Sequence, residues 1–138
     1  MKEENSFMII DDDPTNNLLC LYAIRKVFAN ADIKLFEDPE LALKTIETDY
    51  SKTAISTVVF LDINMSEMTA WEFLDVFKDF SDDIHKQFSI YILSSSVDHR
   101  DKEKAETNPF VLGFLSKPLS VKELVRIFKP GIADQQRA

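Results

Sequence analysis

Four stretches of this chain end an apolar run on side chains that can do chemistry. Phe7–Ile10 runs into Asp11, Asp12 and Asp13; Val58–Leu61 stops at Asp62; Ser89–Leu93 stops at Ser94, Ser95 and Ser96; Leu112–Leu115 is closed by Ser116 and Lys117. Short apolar runs bounded by polar residues read as strands buried on both faces of a parallel sheet. In open sheets of that kind chemistry gathers outside the carboxyl ends of the strands. As neighbours, the four runs would collect carboxylates, a hydroxyl and an ammonium around Asp62 on one rim. Two carboxylates about 4 Å apart repel by roughly 4 kcal/mol at an effective dielectric near 20, so such a group demands a cation. Hard, oxygen-liganded Mg²⁺ suits it, since this ion keeps several waters while taking one or two carboxylates and a phosphate oxygen. With Lys117 as a fixed positive charge and Ser94 as a hydroxyl donor, the set forms a receptor for a phosphoryl group, with an aspartate as nucleophile.

The elements that must position these groups alternate along the chain. Pro14 follows Asp13, a good N-cap before a favoured first helical residue, and Cys20, Ala23, Ile24 and Val27 then mark one helical face. Cys20 on that face reads as a packed thiol. Ile33–Phe36 is a short second strand, and Asp38 with Pro39 repeats the cap signal before Ala42, Ile46 and Tyr50 at fourfold spacing. Asn64–Thr69 reads as a loop. Ala70, Phe73, Leu74 and Phe77 give a third helix its inward stripe, with Trp71 beside it as a partly covered surface aromatic. Ser81–Lys86 is expected to be an acidic link with a solvated His85. Asp98 opens a very polar helix to about Thr107, which Asn108 and Pro109 end. Ser120 and Glu123 spell a capping box, Val121, Leu124, Val125 and Phe128 a buried face, and Pro130 and Gly131 a stop. Five strands and five helices in alternation predict an α/β, doubly wound, five-stranded parallel sheet. Residues 1–130 are expected to form one domain and 131–138 a short tail.

Composition sets the outer bounds. With 138 residues and 45% apolar content, the chain suffices for one core. A net charge of −8 argues against a nucleic-acid or anionic-membrane surface, because phosphate binding is dominated by Lys and Arg. The single cysteine rules out an intrachain disulfide. No run approaches the ~20 apolar residues of a membrane span or a signal-peptide core, so a cytoplasmic location is expected. The two glycines, Gly113 and Gly131, belong to no dinucleotide or Walker loop.

Together, IIDDDP, VVFLDINM, YILSS and FLSKPL resemble the receiver domain of two-component response regulators, and the resemblance covers nearly the whole chain. It implies a flavodoxin-like (βα)5 fold with strand order 2-1-3-4-5 and a role in phosphorelay signalling. On this resemblance Asp62 accepts a phosphoryl group from a histidine kinase or phosphotransfer protein. Asp11 and Asp12 hold Mg²⁺ with Asp62 and the backbone carbonyl of Asn64. Ser94 turns toward the phosphoryl group, Lys117 pairs with it, and Phe114 follows Ser94 inward. The protein is then no enzyme beyond catalysing its own phosphorylation and dephosphorylation. With no effector domain expected to follow, its output would be contact with a downstream protein, onward transfer or buffering.

The chain also departs from the family pattern. Met65–Ala70 lacks the usual proline and glycines, and Phe114 has no hydroxyl, so an inward switch there must be driven by apolar burial. Asp13 is open to either capping or metal binding, and Ser96 could line the route of an attacking water. Two other readings stay open. One is a receiver-shaped binding module that is never phosphorylated. The other takes Asp11, Asp13 and Thr15 as the D-x-D-x-T signature of haloacid-dehalogenase-like phosphatases with Asp11 as nucleophile. That reading leaves Asp62 idle and lacks paired acids downstream of Lys117.

Overall fold

The computed structural model describes residues 6–96 and 98–128. The elements run β1 (Ser6–Ile10), α1 (Pro14–Val27), β2 (Asp32–Phe36), α2 (Pro39–Asp49) with a 3₁₀ turn at Tyr50–Lys52, β3 (Thr57–Asp62), α3 (Ala70–Lys78), α4 (Asp82–His85), β4 (Phe88–Ser94), α5 (His99–Thr107), β5 (Val111–Ser116) and α6 (Val121–Phe128). All five strands pair in parallel in the order β2-β1-β3-β4-β5, the flavodoxin-like order. The stop at Pro130 and Gly131 and the tail 131–138 lie outside the described residues.

Strand alternation builds two cores. Phe7 and Ile9 of β1, with Val58 and Phe60 of β3, pack with Cys20, Ala23 and Ile24 of α1 and Leu124 of α6. Met8, Ile10, Val59 and Leu61 face the other way, onto Ala42, Leu43 and Ile46 of α2 and Phe73, Leu74 and Phe77 of α3. A side-chain period of two thus serves two helical layers, which is why β1 and β3 are apolar throughout. Helix starts follow the local chemistry. Asp13 and Asp38 accept hydrogen bonds from the backbone of Thr15 and Glu40, each 3.0 Å long, with Pro14 and Pro39 opening the helices.

Four expectations require correction. Ser81–Lys86 is no extended link, because Ser81 caps α4 and Asp82 and Asp83 occupy its first turn, where carboxylates suit the helix dipole. The described residues therefore hold six helices rather than five. His85 is not solvated: its Nε2 lies 2.7 Å from the Phe77 carbonyl, and its ring packs on Phe77 and Phe110. Glu123 completes no capping box. The Ser120 hydroxyl accepts from its backbone N–H at 3.1 Å, but its carboxylate binds Arg126 instead. The reciprocal box belongs to Thr69 and Glu72 at the start of α3. Val121, at the first position of α6, stays 37% exposed, and Ile127 packs on the core beside Phe128 in its place. Trp71 is half-buried as expected; its indole N–H points at Asp101 Oδ1, 3.4 Å away, and Lys104 Nζ lies 5.9 Å from its ring centre.

The edge strand β5 carries Lys117 at its end, and its seating depends on Gly113. In the register Tyr91 stands opposite Gly113, and a Cβ there would lie 2.9 Å from Tyr91 Cδ2. The tyrosine ring has little room to yield, since Phe60 and Phe128 pack on it at 5.9 and 5.7 Å between ring centres. Gly113→Ala should therefore destabilise the fold by about 1–3 kcal/mol despite alanine's better backbone propensity, seen as a lower urea midpoint at unchanged slope.

Candidate functional site

Four strands deliver the candidate groups to one rim. Ile10 is paired with Leu61, Asp62 with Leu93, and Ser94 with Ser116, so Asp11, Asp12, Asp62, Ser94 and Lys117 all emerge at the carboxyl end of the sheet. The rim lies where the chain order reverses: β1 connects outward to β2, and β3 lies on its other side. Oxygens of Asp11, Asp12 and Asp62 all lie within 4.8 Å of one another. Lys117 bridges two of these acids, with Nζ 2.8 Å from Asp11 Oδ2 and 2.7 Å from Asp62 Oδ1. Its backbone N–H donates to the Ser94 carbonyl at 2.8 Å, which ties β5 to β4 at the site, and the Lys117–Pro118 peptide is cis.

Charge crowding leaves its mark on protonation. Burial, aided by Asp11 and Asp12, raises the Asp62 carboxyl above its ordinary range, although Lys117 pulls in the opposite direction. For Lys117 burial works against the charge, yet the hydrogen bonds to Asp11 and Asp62 outweigh it and the ammonium titrates above its ordinary value. Three acids and one ammonium leave the cluster short of positive charge. Its donors are all hard oxygens, a set that fits Mg²⁺.

The remaining expected residues fall as follows. Asp13 lies outside the acid cluster; its exposed carboxylate caps α1, which settles its two open roles in favour of capping. Asn64 is exposed and pairs with Thr69 through an isolated antiparallel bridge, so its backbone follows Asp62 into a closed loop. That loop needs no glycine: among the described residues none has a positive φ, and the Ser66 N–H donates to Asp12 Oδ2 at 2.7 Å, fixing the acid. The Ser94 hydroxyl is buried and donates to the Ser96 carbonyl at 2.6 Å, while Ser96 N–H donates back to it at 3.2 Å. Phe114 is half-buried against the core that α2 and α3 cover. Cys20 is a packed thiol, pushed up to about 12 by burial and then by Asp11.

Sequence reading missed two asparagines. Asn16 Nδ2 donates to Asp11 Oδ2 at 2.6 Å, and Asn17 Nδ2 donates to the Asp11 carbonyl at 2.9 Å; both residues are buried. Their signal was present. They stand four and three residues before Cys20, so they prolong the buried stripe of α1 with amides where apolar residues are the default.

Similarity to known proteins agrees with this geometry. The sequence profile of the response regulator receiver domain matches residues 7–129. The chain belongs to that family. A two-component response regulator from Cytophaga hutchinsonii shares 28% identity at a TM-score of 0.84, over 96% of this chain and 99% of that one. A response regulator receiver protein from Dyadobacter fermentans, at 24% identity and TM-score 0.81, covers 91% and 95% of the two chains and shares the fold. The same holds for the chemotaxis response regulator CheY4 of Vibrio cholerae, at 19% identity and TM-score 0.68 over 91% and 96%. No curated protein matches the chain. Receivers serve phosphorelay signalling, and no helix among the described residues is long and apolar enough to cross a membrane.

The raised Asp62 carboxyl has a testable sign. A carboxyl raised by folding contributes stability that is fully present below its unfolded-state pKa and is lost as pH rises through the folded-state one. At pH 7.5 without divalent cations, Asp62→Asn should thus be more stable than the parent protein, by on the order of 1 kcal/mol after the lost Lys117 contact is subtracted. The gap in thermal midpoint should close as the pH is lowered into the ordinary carboxylate range. Equal midpoints at every pH would mean that neither burial nor the neighbouring acids disfavour the Asp62 carboxylate.

Proposed function

We propose that Asp62 of this receiver accepts a phosphoryl group from a histidine kinase or phosphotransfer protein, and that Ser94, Lys117 and Phe114 read its arrival. The observation that carries this reading is the position of Lys117 Nζ, 2.7 Å from Asp62 Oδ1 and 2.8 Å from Asp11 Oδ2. Hydrogen bonding argues against Asp11 as the nucleophile, and the Lys117 contact favours Asp62 over Asp12. Both oxygens of Asp11 accept bonds, from Asp13 N–H, Asn16 and Lys117, and Asp12 Oδ2 is occupied by Ser66 N–H. Among the described residues the bonded partner of Asp62 is Lys117, on Oδ1, which leaves Oδ2 free to attack. In transfer from phosphohistidine, a new O–P bond forms at Asp62 and the N–P bond breaks. The electron pair returns to the imidazole nitrogen, which takes up a proton.

Asp11, Asp12, Asp62 and the Asn64 carbonyl would hold Mg²⁺, which supplies positive charge to the phosphoryl oxygens when bound. Lys117 shifts from Asp11 toward a phosphoryl oxygen. The Ser94 hydroxyl exchanges the Ser96 carbonyl for the same group, and Phe114 moves further into the apolar space beside it. Ser96, released from that bond, lies on the approach of hydrolytic water. The domain, taken as residues 1–130, is then a self-phosphorylating switch in the cytoplasm rather than a turnover enzyme. It signals by contact with a downstream protein.

Incubation with a small phosphodonor and Mg²⁺ should add one phosphate to the protein and none to Asp62→Asn, read from intact mass; equal labelling of the variant would refute the assignment. A phosphoryl mimic bound at the site should shift backbone amide signals between Asp98 and Lys117. Shifts restricted to α1 and α2 would reject Ser94 and Phe114 as the switch.

A further inference from the structure

Asn16 is the third residue of α1 and only 6% exposed, on the face that Cys20 continues. Asparagine is a mediocre helix former, and a buried amide left unpaired is destabilising, so packing alone would favour an apolar residue here. What the amide finds is Asp11, itself 1% exposed, with Nδ2 2.6 Å from Oδ2; Cys20 Sγ is a weaker contact at 3.7 Å.

The Asp11 Oδ2 atom has two donors, Asn16 Nδ2 and Lys117 Nζ, whereas Oδ1 accepts from Asp13 N–H at 2.9 Å. These donors differ in what else they must do. Lys117 is shared with Asp62, so any movement toward a group on Asp62 weakens its hold on Asp11. Asn16 sits in a helical turn pinned by Pro14 and by the Asp13–Thr15 cap, and it has no such second duty. Asn17 already holds the Asp11 carbonyl, so the main chain is fixed and the side-chain torsion is what remains to be set. Bonds to Oδ1 and Oδ2 from opposite ends define the plane of the carboxylate. Because the amide is neutral, it does this without cancelling the negative charge that draws a cation.

We infer that Asn16 is a positioning residue: it keeps the Asp11 carboxylate turned toward the metal position, both while Lys117 shares Asp11 Oδ2 and after Lys117 leaves it for the phosphoryl group. This rests on the phosphoacceptor reading above. Outer partners of metal ligands typically account for 10–100-fold in metal affinity.

Asn16→Leu, with the same fork at Cγ but no polar atom, and Asn16→Ser, whose hydroxyl falls one bond short of the amide nitrogen, test the role in the full chain. Calorimetric titration with Mg²⁺ should show the dissociation constant raised about 10–100-fold in both. The rate of labelling by a small phosphodonor should return to within about threefold of the parent once Mg²⁺ is saturating, since the reacting groups are intact. Unchanged Mg²⁺ affinity in a variant with native circular dichroism would overturn the inference and leave Asn16 a packing residue. A labelling defect that persists at saturating Mg²⁺ would overturn it as well. If the leucine variant does not fold, the serine variant decides by the same criteria. A parent protein that binds no Mg²⁺ would remove the phosphoacceptor reading itself, whereas a parent that binds and is labelled beside insensitive variants removes only the role of Asn16.

Discussion

Three carboxylates forced to one rim of a sheet, with a single ammonium between two of them, is the constraint on which the molecule turns. Asp11, Asp12 and Asp62 would separate if their backbones allowed it, and Lys117 cannot serve all three. The sheet denies them that freedom. Asp62 ends β3 and Asp11 and Asp12 are the first two residues beyond β1, and β1 and β3 are buried along their whole length. The apolar layers on both faces of the sheet therefore stabilise an arrangement that electrostatics alone would disperse. Burial first, and the neighbouring acids after it, hold the Asp62 carboxyl above its ordinary range.

Local bonds convert this crowding into a shaped site. The turn that starts α1 serves two ends: Asp13 caps the helix with its side chain while its backbone N–H holds Asp11. The loop after β3 does likewise for Asp12 through Ser66, and it reaches that geometry without the proline and glycines common in the family, because no residue in it needs a left-handed backbone. At the other end of the rim Ser94 is held by Ser96 and Phe114 is only half-buried. The acid side of the site is rigidly fixed.

Some of this was legible in the chain alone because it is written in nearest-neighbour terms. Apolar runs ending in Asp, Ser or Lys gave the strands and their reactive ends, and the Asp-Pro pairs gave two helix starts. Where a polar residue's partner lies far off, the same reading failed. His85 looked like a surface imidazole because nothing nearby in sequence predicts Phe110 beside it. Gln87 gave no signal at all, yet it is buried and bonds Tyr50, Thr53, Ile55 and Asp83 beneath the amino end of the sheet. Glu123 had two feasible partners within a turn, and Arg126 prevailed over the helix cap.

The sequence by itself thus determined the layered parallel fold and the acids, hydroxyl and lysine that meet at one rim of it, since periodicity and strand-end residues are local properties of the chain. Tertiary structure alone decided which oxygen meets which donor: that Lys117 is divided between Asp11 and Asp62, that Asp13 caps rather than joins the acids, and that Asn16 bonds Asp11. Those choices depend on differences of a few tenths of an ångström between segments that for Asp11 and Lys117 lie more than a hundred residues apart in the chain, which strand register and helix packing fix and no local pattern encodes.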